Sequence, residues 1–232
     1  MPPMSIGTLS EKSLHADLKT WLAQPADQFE VKLGRFVIDI VRGEQLIEIQ
    51  TRHLYAMKSK LTRLLNDHPI HLYHPVPQSK WIVKETAVGE HISRRKSPKR
   101  GQLLDIFNEL TRIPHLLLHP NLTLTVLLTH QEEVWRDDGQ GSWRRGRQSI
   151  HDQRLLQVID SHTFHGVADY LAVLPPSLPQ PFTNKQLAKA VGCDTRLATR
   201  ISYTLKGMEL VEVVGKNGRS HLHQICYNDP RA

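Results

Sequence analysis

Hydrophobic residues in the first 85 positions switch between two spacings. In two segments they recur every three to four positions, as on the buried face of a helix: 8–24 and 53–66. In five others they form short runs beside turn residues, as in strands: 29–33, 36–41, 46–51, 70–73 and 81–85. This order of helix, three strands, helix and two strands predicts an α/β domain with a mixed β-sheet flanked by helices.

The middle of the chain has fewer regular patterns. A short helix is predicted at 105–111 and a strand at 122–133. The segment 89–102 is predicted to be an exposed loop that holds phosphate groups. Its basic residues are Arg94, Arg95, Lys96, Lys99 and Arg100. The alternatives for this loop are a solvated run of charge with no ligand, or a localisation signal if the source is eukaryotic.

The sequence after residue 150 is predicted to form a second, smaller domain, 151–232, beside a first domain of residues 1–150. Thr183 and Gln186 have the spacing of a capping box, and Gly192 ends the short helix that they start. A second helix and two strands around a basic turn follow. This order is typical of a winged helix-turn-helix, whose second helix enters the major groove of double-stranded DNA. The basic residues predicted to contact DNA there are Arg196, Arg200, Lys206, Lys216 and Arg219.

The charge of the chain favours an acidic partner. A formal net charge of +7 and a pI near 9.5 are typical of proteins that bind polyanions such as nucleic acid. No apolar run reaches the ~18 residues that a membrane span requires, and the N-terminus lacks the pattern of a signal peptide. Cys193 and Cys226 lack metal-ligand spacing and are predicted to be reduced thiols. Together these features predict a cytoplasmic protein with no membrane partner.

Two carboxylates in neighbouring predicted strands are the strongest candidates for chemistry. If Gly43 and Glu44 form a two-residue hairpin loop, Asp39 lies directly opposite Glu48. Side chains in that relation have Cβ atoms ~4.5–5.5 Å apart, so two like charges there need a cation between them. Oxygen ligands favour Mg²⁺ or Mn²⁺. The alternative is that Asp39 faces solvent at a strand edge and that Glu48 shares a solvated polar face with Gln50.

A third carboxylate, Glu11, lies on the first predicted helix. It precedes Leu14 and Leu18 by three and seven positions, so it can share their face and point at the sheet. Its spacing from Thr8 also fits a capping box, in which Glu11 only caps the helix. The sequence leaves both roles open.

The order of Glu11, Asp39 and Glu48-Ile49-Gln50 resembles the PD-(D/E)XK nuclease superfamily over about residues 8–85. The resemblance implies a restriction-endonuclease-like fold and metal-dependent hydrolysis of phosphodiester bonds in DNA. Asp39, Glu48 and the backbone carbonyl of Ile49 would hold Mg²⁺ (or Mn²⁺), with Glu11 as a further ligand. Many nucleases of this superfamily cut both strands as dimers, so a homodimer is also compatible with the resemblance.

One position departs from the superfamily pattern, because Gln50 replaces the usual lysine. Glutamine occurs there in some active members, and the resemblance implies that Gln50 orients water or substrate. Glutamine supplies no positive charge. Lys58 or Lys60 on the second helix, or Lys84 on a later strand, could replace the lysine.

Three functions therefore remain open at this stage. The first is a metal-dependent DNA endonuclease that a C-terminal winged helix positions on duplex DNA. The second is a non-catalytic DNA-binding regulator that retains a nuclease-like fold, which Gln50 favours. The third is a protein-interaction module that uses the winged helix for pairing. A lysine amine close to both carboxylates would favour the enzyme, and a buried second helix and wing would favour the interaction module.

Overall fold

The computed structural model describes residues 13–226. The α-helices of this part of the chain are α1 (Ser13–Leu22), α2 (Lys58–Leu64), α3 (Phe107–Leu110), α4 (Val167–Leu171), α5 (Asn184–Val191) and α6 (Thr195–Gly207). Its strands are β1 (Gln28–Leu33), β2 (Phe36–Arg42), β3 (Gln45–Ile49), β4 (Ile70–Glu85), β5 (His91–Lys96), β6 (Leu122–Arg136), β7 (Ser149–Phe164), β8 (Val211–Asn217) and β9 (Ser220–Ile225). Short 3-10 turns lie at Leu54–Met57, Leu103–Ile106, Pro114–Leu116 and Trp143–Arg145.

Seven strands form one mixed sheet in the order β1-β2-β3-β4-β6-β7, with β5 paired to β4. β1, β2 and β3 form an antiparallel meander, β3, β4 and β6 run parallel, and β7 is antiparallel to β6. The segment that contains α2 connects β3 to β4, because two parallel strands need a crossover connection. The predicted α/β class, with a mixed sheet flanked by helices, is confirmed.

Two predictions for the middle of the sheet are wrong. β4 is one strand, where the pattern predicted two at 70–73 and 81–85. It pairs with β6 along its whole length, and a register shift beside Pro77 accommodates the residues that break the pattern. The segment 89–102 is not a continuous loop, since β5 pairs with β4. Most β5 side chains are exposed, so no apolar alternation signalled the strand.

β7 carries the sheet across the boundary predicted between residues 150 and 151. It pairs with β6 from Ser149 to Phe164. Few of its side chains are buried, which explains why its sequence predicted no strand. The sheet therefore ends at Phe164, and the C-terminal elements follow it.

The predicted helices differ from the observed ones at their ends. The helix predicted for 53–66 begins as the 3-10 turn Leu54–Met57 and continues as α2, after His53 in a left-handed conformation with φ 54°. The helix predicted for 105–111 is a 3-10 turn followed by α3. The described part of the first helix begins at Ser13, so residues 8–12 of that prediction, with Glu11, lie outside the described residues.

Two apolar clusters hold the elements together. The smaller one joins α1 to the sheet through Leu14, Leu18, Leu22, Ile40 and Ile47. The larger one runs from α2 through α3 into the C-terminal helices, with buried members that include Leu61, Phe107, Leu187 and Leu205. The C-terminal helices thus share their apolar core with the sheet. Gly207 permits this packing, because a Cβ there would lie 2.7 Å from Pro114 Cγ.

The C-terminal elements follow the predicted order of two helices and a hairpin. Thr183 and Gln186 form the capping box of α5, in which the Gln186 N–H donates to Thr183 Oγ1 at 3.3 Å. Gly192 ends α5 at φ 70°, and Asp194 Oδ1 accepts the Leu197 N–H at 2.7 Å to cap α6. β8 and β9 form an antiparallel pair. Within residues 13–226 no helix is long and apolar enough to cross a membrane.

Candidate active site

Four elements each bring one ionisable side chain to the same place. α1 supplies His15, β2 supplies Asp39, β3 supplies Glu48 and α2 supplies Lys60. The β2–β3 hairpin has the predicted register, since Ile40 pairs with Ile47 and its neighbours follow in step. The next step of that register brings Asp39 beside Glu48. We call these four residues the ionisable quartet.

Asp39 is held in a fixed position by a backbone group and a helix side chain. Its Oδ2 accepts the Ile49 N–H at 2.8 Å and lies 3.2 Å from His15 Nε2. Burial raises the pKa of Asp39, but the hydrogen bond and charge of His15, the Ile49 N–H and the charge of Lys60 outweigh it. The net effect lowers the pKa, so Asp39 is an anion at neutral pH.

The pKa of Glu48 is raised, in contrast to that of Asp39. The residue is 4% exposed, and its Oε1 forms an ion pair with Lys60 Nζ but has no other hydrogen-bond partner. Burial and the negative charge of Asp39 raise the pKa of Glu48 to about 7, although Lys60 and the Asp39 backbone N–H lower it. Two carboxylates therefore compete for one lysine in a poorly hydrated place.

Lys60 is the lysine that reaches the carboxylates. Its Nζ contacts Glu48 and also donates to the Val37 carbonyl of β2, so α2 extends this amine across the hairpin. Lys58 is exposed at the start of α2. Lys84 lies near the far end of β4, opposite Ser93 of β5. Of the three lysines that could replace the missing superfamily lysine, the structure brings Lys60 to the site.

Gln50 has a structural contact in place of a carboxylate neighbour. Its Nε2 donates to the backbone carbonyls of Arg52 and His53, the latter at 3.5 Å. The backbone carbonyl oxygen of Gln50 lies 2.6 Å from His74 Nδ1. The side chain of Gln50 thus fixes the turn after β3, and this is the turn that contains the left-handed His53.

The remaining predicted metal ligands can be placed only in part. Ile49 is buried at the end of β3, with its N–H bound to Asp39. Glu11 lies outside the described residues. Within residues 13–226, no group of three or more His, Cys, Asp and Glu side chains could hold a metal ion. Among the described residues, the predicted metal site therefore has two carboxylates, Asp39 and Glu48.

Sequence reasoning missed His15. The signal was available, because His15 follows Glu11 by four positions, the spacing of one face of the predicted helix. The contact with Asp39 depends on how α1 packs on the sheet, which its sequence alone does not fix.

Comparisons with known proteins give a family but no activity. Residues 12–165 match the family described as Domain of unknown function (DUF8091). The chain belongs to that family. It is also 30% identical over 223 residues to an uncharacterized protein of Treponema pallidum (strain Nichols). The aligned region covers 95% of this chain and 88% of that protein. No solved structure matches.

The basic residues of this DUF8091 protein near β5 are all exposed, and two of them also contact other side chains. Arg94 Nε donates to Glu132 Oε1 at 2.7 Å, and its Cζ lies 5.3 Å from the centre of the Trp81 ring. Lys96 Nζ lies 5.0 Å from the same ring. Arg95 and the more C-terminal pair, Lys99 and Arg100, are exposed to solvent. These three side chains do not share the contacts of Arg94 and Lys96, so they are the most available to a phosphate backbone.

The C-terminal basic residues are mostly exposed. Arg196 and Lys206 project from α6, and Lys216 and Arg219 flank the turn between β8 and β9. Arg200 is half-buried and donates from Nη1 to Asn108 Oδ1 of α3. Arg200 therefore joins the C-terminal helices to the rest of the molecule.

Proposed function

We propose that this protein is a Mg²⁺- or Mn²⁺-dependent DNA endonuclease with a restriction-endonuclease-like sheet domain and a C-terminal winged helix. The observation that carries the proposal is the position of Lys60 at Glu48, beside Asp39. It supplies from α2 the positive charge that Gln50 cannot supply from β3. The PD-(D/E)XK resemblance of the sequence then has a lysine for its two carboxylates.

The residues present fit a divalent cation. Asp39 and Glu48 are two neighbouring carboxylates. Burial and the charge of Asp39 raise the pKa of Glu48 to about 7, and Lys60 and the Asp39 backbone N–H offset this only in part. Glu48 Oε1 has no hydrogen-bond partner beyond that ion pair. A second cation would relieve both conditions, and carboxylate oxygens suit Mg²⁺. The resemblance adds the Ile49 carbonyl and Glu11 to these ligands.

The members of the ionisable quartet then have distinct tasks, with Asp39 and Glu48 as the ligands of the metal ion. A bound metal ion would activate a water molecule and stabilise charge on the scissile phosphate. Lys60 places a positive charge beside the phosphate, where the reaction increases negative charge. His15 and the Ile49 N–H hold Asp39 Oδ2 in one orientation, so this ligand needs no reorganisation when substrate binds.

Exposed cations support DNA as the substrate. The chain has a net charge of +7, and Arg95, Lys99 and Arg100 are free of the ion pair that occupies Arg94. In a winged-helix arrangement, α6 would present Arg196 and Lys206 to the major groove. The turn with Lys216 and Arg219 would contact the backbone. The apolar face of α6 is buried, but these four cations are exposed, which supports a DNA contact over pairing through a buried wing.

Supercoiled plasmid provides the test. The full chain is incubated with plasmid in Mg²⁺, Mn²⁺ or EDTA beside the double variant Asp39→Ala/Glu48→Ala. The proposal requires nicking or linearisation that depends on metal and disappears in the double variant. No cleavage by either protein, with equal DNA binding in a gel shift, would instead support the non-catalytic DNA-binding regulator. Gln50, whose amide fixes a turn, is the observation that favours that second function.

A further inference from the structure

A cleft of about 480 Å³ is lined in part by sequence neighbours of the ionisable quartet. Leu14, the neighbour of His15, is one of them. Thr51 and Arg52, which directly follow Gln50, also line the cleft, and so does His74, which contacts the Gln50 carbonyl. Further lining residues come from the middle of β4, from β6 and from α3. Its volume lies within the ~300–1,000 Å³ that sites for small organic groups have.

The outer wall of the cleft is pinned to the sheet. The Ser97 N–H donates to the Lys80 carbonyl at 2.7 Å, and the Gly101 N–H donates to the Pro77 carbonyl at 3.1 Å. Gly101 is pressed so close that a Cβ there would meet Pro77 O at 2.5 Å. The segment 97–101 therefore forms a fixed wall, and the cleft exists before any ligand binds.

Charges inside the cleft balance. Its lining carries three carboxylates and three cationic side chains: Asp105, Glu109, Glu133, Arg52, Lys80 and Lys99. The carboxylates already have donors, since Glu133 accepts from Lys80 at 2.7 Å and Glu109 accepts the Leu54 N–H at 3.0 Å. Burial lowers the pKa of His74, which leaves it neutral. An occupant of matching charge is neutral and polar.

The rest of the lining specifies the shape and bonding of that occupant. Three side-chain amides line the cleft: Asn108, Gln131 and Gln153. Gln153 is already bonded to Arg52 and Glu133, whereas Asn108 keeps its Nδ2 donor and Gln131 its Oε1 acceptor for an occupant. Apolar walls come from Leu14, Pro75, Val76, Pro77 and Ile150. A flat group with apolar faces and a polar edge fits this combination. Outside the cleft lie exposed cations, Arg95 and Arg100, which suit an attached anionic chain.

We propose that the cleft receives one unpaired nucleobase of the DNA, so that DNA with a mispaired or displaced base is the preferred substrate. This inference rests on the proposed function. A base has the neutral polar edge and apolar faces that the lining matches, and its backbone supplies the anion for the exposed cations. A base that is already mispaired leaves the stack at the lowest cost. Asn108 at the cleft also contacts Arg200, so α6 would contact the same DNA.

The test compares two short duplexes that each contain one 2-aminopurine, either fully paired or mispaired. The full chain is titrated with each duplex in EDTA, which prevents cleavage. We expect the mispaired duplex to bind about tenfold more tightly, because less free energy is needed to move a mispaired base out of the stack. The fluorescence of 2-aminopurine should rise on binding and become shielded from acrylamide.

Two tryptophan substitutions locate the effect. Ser97→Trp fills the cleft, whereas Ser93→Trp places the same side chain on β5 outside the lining. Ser97→Trp should bring the two affinities within about twofold of each other, because a filled cleft leaves only the backbone contacts that every sequence offers. Ser93→Trp should keep the preference. Circular dichroism and thermal melting check that both variants fold.

Each remaining outcome is decisive. Equal affinity for the two duplexes, together with metal-dependent plasmid nicking, would overturn the base cleft and leave the nuclease intact. A preference that survives in Ser97→Trp, or bound 2-aminopurine that acrylamide quenches as in free DNA, would also overturn it. The fluorescence result comes from the unmodified protein and does not depend on the folding of a variant. A chain that binds neither duplex would overturn the proposed function and this inference with it.

Discussion

Two glutamates of the same sheet are equally buried and have opposite electrostatic environments. Glu48 is 4% exposed and Glu133 is 5% exposed, and each contacts a lysine. Burial raises the pKa of both. At Glu133, hydrogen bonds from Lys80, Trp135 and Gln153 outweigh burial and lower the pKa. At Glu48, the nearby Asp39 adds to the effect of burial, and the pKa rises to about 7.

The difference separates a structural charge from a candidate functional one. A buried carboxylate with three donors is satisfied and rigidifies its surroundings. A buried carboxylate with one lysine and a like-charged neighbour is costly, and such groups cluster at functional sites. Burial alone would not distinguish the two glutamates. The neighbouring side chains determine whether the pKa of each carboxyl rises or falls.

The largest effect that separates them is on stability. Glu133→Gln should lower the free energy of unfolding by about 3 kcal/mol, because breaking a buried ion pair leaves Lys80 uncompensated. Glu48→Gln should leave that free energy unchanged or raise it above neutral pH, because it removes the repulsion with Asp39 while Lys60 keeps Asp39 as a nearby counter-charge. Urea denaturation in EDTA measures the free energy of unfolding of both variants and of the unmodified protein. Equal losses would mean that the two glutamates are equally well satisfied.

A smaller effect is the pH dependence of stability in EDTA. The folded-state pKa of Glu48 is about 7, above its ordinary value of 4.5, so the folded protein binds this proton more tightly. The stability that Glu48 contributes is therefore fully present below pH 4.5 and is lost as the pH rises through about 7. The loss is at most about 3 kcal/mol. Glu48→Gln should remove this part of the slope between those pH values, and parallel curves for variant and unmodified protein would contradict it.

The smallest effect extends the comparison to the basic residues of β5. Arg95→Ala should reduce the slope of log affinity for DNA against log salt by about 0.9, since one phosphate contact is lost. Arg94→Ala should reduce the slope less, because Glu132 already neutralises Arg94. Fluorescence anisotropy at several salt concentrations measures both slopes. A greater loss in Arg94→Ala would show that DNA displaces Glu132.

Short-range patterns predicted the centre of the molecule well. The two-residue turn at Gly43 and Glu44 fixed the register of β2 and β3, and with it the approach of Asp39 to Glu48. The cap of α5 was also predicted, because its side chain and backbone partners lie within three residues of each other. Local chemistry determines these features.

Features that depend on distant packing were not predicted. β5 and β7 lack apolar alternation and are strands because β4 and β6 offer backbone partners. The sequence named three lysines for the site, and only the docking of α2 on the sheet distinguishes Lys60 from Lys58. The contact of His15 with Asp39 likewise depends on the docking of α1.

The most direct measurement is plasmid cleavage by Lys60→Met beside Lys58→Met, in Mg²⁺. Both variants lose one positive charge from α2, but only Lys60 contacts the carboxylates. The account predicts that Lys60→Met cleaves about 10²–10³-fold more slowly, the usual cost of removing one transition-state contact. Lys58→Met should cleave at the unmodified rate. Full activity in Lys60→Met, or equal losses in the two variants, would contradict the assignment of Lys60 and the two carboxylates as the active site.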